Sequence, residues 1–267
     1  MKTSFSWKQL GLTVGGLLLI GLVVSGIVVV SGVVPIKASS GHWPITKWFL
    51  QFSKNQSVAT YSQAIETPPL DDPARVLRGA GHYENACATC HGSPLRDRSP
   101  VALASTPTPP SLPPLVQQRE PRELFYVVKH GILFTGMPAW PTQSRDDEVW
   151  DVVAFLIQLP ELDRQGYTDL VFPEPESNPE PGNLKTQTGA LESCQRCHGA
   201  TGAGRGHGAF PHLAGQNQQY LHSALDAYAT RERNSGVMQT VAAVLTSEER
   251  QSLATQRLCK TEFLFLH

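Results

Sequence analysis

From Gly11 to Ile36 the chain carries no charge and no polar face; Leu, Ile, Val and Gly dominate. About 20 apolar residues in a helix cross a bilayer, so the pattern predicts a transmembrane anchor over 10–36 with 1–9 on the cytoplasmic side. The apolar stretch of a cleaved signal peptide is shorter, roughly 7–15 residues, and ends at an Ala-x-Ala-like site. Ile36-Lys37-Ala38 is a poor one. Trp43, Trp48, Phe49 and Phe52 then fall where an interfacial aromatic belt would lie, with a short surface helix at 44–52 inside a juxtamembrane linker, 37–70. Further on, apolar positions recur at helical spacing. Asp72 and Pro73 mark an N-cap and first residue of a helix to about Cys87. Pro121 opens a second through His130, with Leu124, Phe125 and Val128 as its apolar side. Ser144 and Asp147 form a capping box for a third, to about Leu159, which buries Val149, Trp150, Val153 and Leu156. Helices at 218–229 and from Thr246 or Ser247 follow. The fold class is mainly α.

Charge divides what periodicity does not. The chain of 267 residues has 22 Lys+Arg and 23 Asp+Glu, a balance that excludes a broadly basic nucleic-acid binder. Residues 1–65 hold five lysines and no acid, whereas 168–184 hold four acids and no base. Pro173, Pro175, Pro179 and Pro181 stand among those acids. Such a stretch is a semi-rigid extended linker, placed at 166–184 between domains at 71–165 and 185–267. Five cysteines are too few for a disulfide scaffold of this length.

Four of those cysteines define the chemistry. Cys87-Ala88-Thr89-Cys90-His91 and Cys194-Gln195-Arg196-Cys197-His198 are both C-x-x-C-H, each followed by Gly. On one helical turn, thiols at i and i+3 form thioethers to the two vinyl groups of one haem, and the next residue aims its imidazole at the iron. Zinc would need further Cys/His ligands at matched spacing, and a disulfide oxidoreductase would not need the His. Two copies predict two covalently bound haem c groups. A sixth ligand is then required. The methionines beyond Met1 are Met137 and Met238, 46 and 40 positions after His91 and His198. A thioether suits the iron and raises its potential, so both are candidate axial ligands; as a bland alternative each is core filler. His130, His207, His212 and His222 are the other candidates. Trp140 can wall the first pocket. Cys259 has no partner.

On these residues each half resembles a class I cytochrome c, and the whole resembles a membrane-anchored dihaem cytochrome c: an N-terminal transmembrane helix plus two small all-α domains joined by a Pro-rich linker. The resemblance implies further roles. Gly79 and Tyr83, eight and four residues before Cys87, match the family's small-plus-aromatic pair where the first helix crosses the last. Thr186 and Ala190 occupy those positions in the second half, which departs from the pattern. Pro109-Pro110-Ser111-Leu112 resembles the loop whose proline carbonyl accepts a hydrogen bond from the axial His, with Pro113-Pro114 adjacent and the choice of proline open. In Phe210-Pro211-His212-Leu213-Ala214-Gly215-Gln216 the implied partner of His198 is Pro211. Tyr220 and Arg231 are implied propionate contacts, or plain surface residues.

The implied function is electron transfer in a respiratory chain, at the periplasmic face of the cytoplasmic membrane. It would run between a quinol-oxidising complex or periplasmic dehydrogenase and a terminal oxidase, with redox proteins and the membrane as partners, no nucleic acid and no small-molecule substrate. No independent catalysis is expected. The alternatives are a dihaem cytochrome c peroxidase, which the His-rich run 206–212 keeps open, and an assembly subunit with structural haems.

Overall fold

The computed structural model describes residues 6–34, 36–172, 188–206 and 208–255. It is helical, with no strand among the described residues. The chain divides into two units, 1–41 and 42–267.

The first unit is one helix, α1, Trp7–Val30. Ser6 and Gln9 close a reciprocal capping box at its start. Its 24 residues rise about 36 Å at 1.5 Å each, enough for the hydrocarbon core. None of its residues is buried, so its apolar surface has no protein cover. It is long and apolar enough to cross a membrane.

The second unit begins with α2, Pro44–Tyr61. The surface helix expected at 44–52 runs nine residues further, because its second half finds protein partners. Val58 is buried, Asn55 accepts a bond from Arg119 at 3.0 Å, and Tyr61 stacks on Tyr126. The first half exposes Ile45, Trp48, Phe49 and Phe52.

The first domain is built on α3 (Pro73–His82), α4 (Pro121–His130), α5 (Asp146–Gln158) and α6 (Arg164–Val171). Asp72 caps α3 through the Ala74 N–H. The helix widens into a π-helical turn at Tyr83–Cys87 and ends with the turn Ala88–His91. Its crossing with α5 depends on Gly79, where a Cβ would lie 1.9 Å from the Asp151 carbonyl oxygen. Tyr83 packs on Phe155 beside it, with centroids 5.1 Å apart. Arg78 grips the Asp151 carboxylate with two bonds, of 2.6 and 3.0 Å. The core then closes around Val76, Ala80, Phe125, Trp150, Val153 and Leu156.

Two local expectations meet a different structure here. Residues 166–171 do not start a linker: α6, capped by Asp163 onto Gly166, buries Tyr167 and Val171 completely in the first core. The box at Ser144 does not form either. Arg145 holds the Asp147 carboxylate and Ser144 bonds Thr142, so α5 starts at Asp146. The prolines from 173 on lie outside the described residues.

The second domain comprises α7 (Thr188–His198), α8 (Gln218–Ala229), α9 (Gly236–Ala243) and α10 (Ser247–Thr255). Thr246 and Glu249 form the capping box of α10, Leu253 and Ala254 are buried, and Arg250 bonds Asp226 of α8 at 2.6 Å. Thr186, the tail from 256 and Cys259 lie outside the described residues. The small core of Cys197, Ala209 and Phe210 is completed by Ala74 and Leu77 from α3 of the first domain. Gly206 enforces that fit: its φ is +57°, and a Cβ there would meet Leu77 Cδ2 at 2.2 Å.

Candidate functional site

In the first domain, Cys87 closes the π-helical turn, and Cys90 and His91 occupy the next one. Gly92 ends the helix at φ +78°, a conformation only glycine adopts freely. Tyr83 is more than a packing residue, since its hydroxyl donates to the Gly92 carbonyl at 2.6 Å and pins the turn that carries His91. The His91 Nδ1–H donates to the Pro110 carbonyl at 3.0 Å. Arg98 donates to the neighbouring Pro109 carbonyl at 2.6 Å and so sets the height of the loop. Of the four prolines left open by the sequence, Pro110 is the partner.

The second domain repeats this arrangement. Cys194, Cys197 and His198 share the last turns of α7, Gly199 ends it at φ +81°, and His198 Nδ1–H donates to the Pro211 carbonyl at 2.9 Å. A carbonyl only accepts, so in both rings Nδ1 carries the hydrogen and Nε2 keeps its lone pair. No hydrogen bond engages either Nε2 among the described residues. Burial lowers the pKa of both imidazoles, against the opposing pull of the proline carbonyls, which keeps them neutral.

Burial also pushes the thiols up, Cys87 to about 12 and Cys194 and Cys197 to about 11. Thiolate chemistry needs the opposite shift, so burial of Cys87, Cys194 and Cys197 works against thiolate formation at these three sulfurs. Two thiols one turn apart and a bare Nε2 on a ring fixed by its other nitrogen fit the covalent attachment and axial ligation of haem c.

Each Cys pair and its His lie on one short helical stretch, whereas each Met arrives on a later segment. Met137 lies half-buried in the loop between α4 and α5. Its N–H donates to Thr135 Oγ1 and its carbonyl accepts from the Ile132 N–H, both at 3.1 Å. Gly131, at φ +66°, lets that loop close; a Cβ would meet the Met137 carbonyl oxygen at 2.7 Å. Met238 is not in a loop but on the first turn of α9, its N–H capped by Ser235 Oγ at 3.1 Å. Of the rival histidines, His130 and His212 are exposed and His222 faces Asp226 at 3.5 Å; His207 lies outside the described residues. Tyr220 and Arg231 are both exposed, and the Tyr220 hydroxyl is 3.5 Å from Arg233.

The two sites touch. A Cβ on Gly81 of α3 would lie 2.9 Å from Cys197 Sγ, so the thioether position of the second site rests on the helix that leads to the first. Arg205 ties the same contact, donating to the Arg196 carbonyl at 2.6 Å and to the carbonyls of residues 169–172 that end α6. Arg196 in turn bonds Asn85. Gly81, Asn85 and Arg205 carry no sequence signal for this contact, because it joins segments more than thirty residues apart in the chain.

Known proteins resemble both halves of the chain. Residues 74–156 match the family described as cytochrome c oxidase, cbb3-type, subunit III, and residues 185–255 match the family described as cytochrome c. A thiosulfate dehydrogenase electron acceptor of Stutzerimonas stutzeri (strain A1501) is 38% identical over 228 residues, 80% of this chain and 92% of that protein. A protein of the same description from Thiomonas intermedia (strain K12) is 41% identical over 63 residues, 24% of this chain and 29% of its own. No solved structure matches.

Proposed function

We propose that this chain, which belongs to the c-type cytochromes with two haem domains, is a membrane-anchored electron relay that takes electrons from a thiosulfate dehydrogenase and passes them to a terminal oxidase. The chain is an electron-transfer cytochrome with two covalently bound haem c groups. The matched pair of imidazole–proline bonds carries the reading, because it fixes a neutral axial ligand of the same tautomer in each domain.

When bound, haem c supplies a one-electron ferric–ferrous couple. The chain's residues do the rest. Cys87, Cys90, Cys194 and Cys197 would hold the group covalently, and His91, His198, Met137 and Met238 would supply nitrogen and sulfur ligands to its iron. Pro110 and Pro211 orient the rings and tune the basicity of Nε2. The contact of Gly81 with Cys197 Sγ gives electrons a packed protein route between the domains. Two one-electron sites store both electrons of a two-electron donor.

In this reading α1 crosses the cytoplasmic membrane once and the haem domains stand on the periplasmic side. The exposed Ile45, Trp48, Phe49 and Phe52 lie in the headgroup region, where such aromatics are favoured. Anchoring confines the relay to the plane of its partners and raises their effective concentration. The donor follows the relatives, which are described as thiosulfate dehydrogenase electron acceptors; the acceptor is the terminal oxidase that the dihaem resemblance implies. The test mixes the ferric protein with thiosulfate and a purified thiosulfate dehydrogenase under argon and follows the α-band. Reduction of both haems, dependent on the dehydrogenase, supports the reading. A protein that stays oxidised while a small-molecule acceptor is reduced refutes the donor.

A further inference from the structure

We propose that Glu148 is a positioning residue shared by both sites: one buried carboxylate binds the segment carrying Met238 to the segment carrying Met137 and couples the two potentials. The inference rests on the reading of both methionines as axial ligands.

Glu148 lies in the first turn of α5 and is 5% exposed. Its Oε1 accepts from Ser235 Oγ at 2.7 Å and faces Arg145 Nη1 at 3.2 Å. Its Oε2 accepts from the Gly236 N–H at 2.6 Å and from Trp140 Nε1 at 3.2 Å. Ser235 and Gly236 begin α9, and Met238 follows in the same turn. Trp140 closes the Met137 loop, its N–H bonded to the Lys129 carbonyl. Arg145 reaches across as well, donating to the Asn234 carbonyl at 2.9 Å.

An unpaired buried charge is costly. Here four donors from both domains fill the two oxygens, and the carboxylate sits at the N-terminus of α9, where the helix dipole favours an anion. A local capping residue would need only the second domain's donors. Trp140 is the distinguishing partner, because it makes the same carboxylate part of the Met137 loop. The fit leaves no slack: a Cβ on Gly236 would lie 2.2 Å from Trp140 Nε1.

Two consequences follow. The charge of Glu148 lies one hydrogen bond from each Met-bearing segment, so removing it disfavours both ferric sites and raises both potentials. A substitution at Gly236 that displaces Trp140 changes the first site with no residue of the first domain substituted.

The test uses the full-length holoprotein in detergent, with the two waves of an anaerobic redox titration assigned through the double variant Cys194→Ala/Cys197→Ala, which has no thiols to attach the second haem. For Glu148→Gln both waves are expected to rise by at least a threefold change in equilibrium constant, ~28 mV at 59 mV per tenfold, with both haems still attached. For Gly236→Ala the wave of the first haem is expected to move. A Glu148→Gln protein that shifts one wave or none overturns the proposal, as does a Gly236→Ala protein whose first wave stays in place. The wild-type near-infrared Met-to-iron band tests the axial reading separately, and the paired shift can be read whichever ligand holds the iron.

Discussion

Gly79→Ala probes the helix crossing on which the first site stands. The added Cβ would lie 1.9 Å from the Asp151 carbonyl oxygen, 2.6 Å from its carbon and 2.8 Å from Phe155 Cβ. Two of these atoms are backbone of α5, and Phe155, Val152 and Val153 beside them are buried, so no side chain can swing aside. The helices must part by more than 1 Å, and dispersion contacts lose a quarter to a half of their depth over a gap of about that size. Overpacking of this kind costs about 1–3 kcal/mol, and a clash with backbone belongs at the upper end. Replacing a helical Gly by Ala returns about 1 kcal/mol, leaving a net loss of about 2 kcal/mol. For a domain near 100 residues that lowers the melting temperature by about 8–16 °C. The assay is urea unfolding of the holoprotein by near-ultraviolet circular dichroism, with Gly166→Ala as control. Its Cβ would meet only the Asp163 carboxylate at 3.3 Å and the Leu162 side chain at 3.5 Å. A Gly79→Ala protein as stable as the control would refute the crossing.

Other substitutions read other parts of the account. Met137→Ala should leave the first haem attached through Cys87 and Cys90 but lower its potential and abolish its near-infrared band; an unchanged potential contradicts the ligand. Burial, with Arg78 and Arg145 nearby, holds the His82 imidazole down at about 3, against about 6.5 unfolded. The unfolded chain therefore binds the extra proton between those values, and stability falls as pH drops from 6.5 towards 3, by about 2 kcal/mol at pH 5. His82→Gln should flatten that loss when urea midpoints at pH 7 and 5 are compared. Arg205→Ala leaves the carbonyls at the end of α6 without their donor and should cost about 1–3 kcal/mol, seen as a lower urea midpoint for the whole chain. A midpoint equal to wild type would show the interdomain tie to be idle.

What the sequence disclosed was local chemistry and local capping. C-x-x-C-H is one helical turn, so its meaning survives without a structure, and the Asp72–Pro73 start and the Gly79–Tyr83 crossing lie on the same continuous helix. The loop at Pro211 was legible because its pattern is short and contiguous; the run of prolines at 109–114 was not, because Arg98, eleven residues before Pro109, sets its height. Helix α6 was hidden by composition. Tyr167, Leu170 and Val171 stand at helical spacing behind the Asp163 cap, but a Pro-rich acidic stretch follows at once and drew the boundary too early. The second half of α2 escaped for a different reason: its partners, Arg119 and Tyr126, lie more than sixty residues away. Glu148 had no signal at all. On a helical wheel it is one acid among three in a first turn, and only the arrival of Ser235 and Gly236 from the other domain makes it a buried carboxylate.

The central claim is that both irons are closed sites that pass electrons. An anaerobic redox titration of the detergent-purified full chain, following the α-band and the near-infrared Met-to-iron band together, tests it most directly. Two waves at positive potential are expected, each accompanied by the Met band. A single wave at low potential without that band would contradict it, and would place an open or His-ligated iron where Met137 or Met238 is expected.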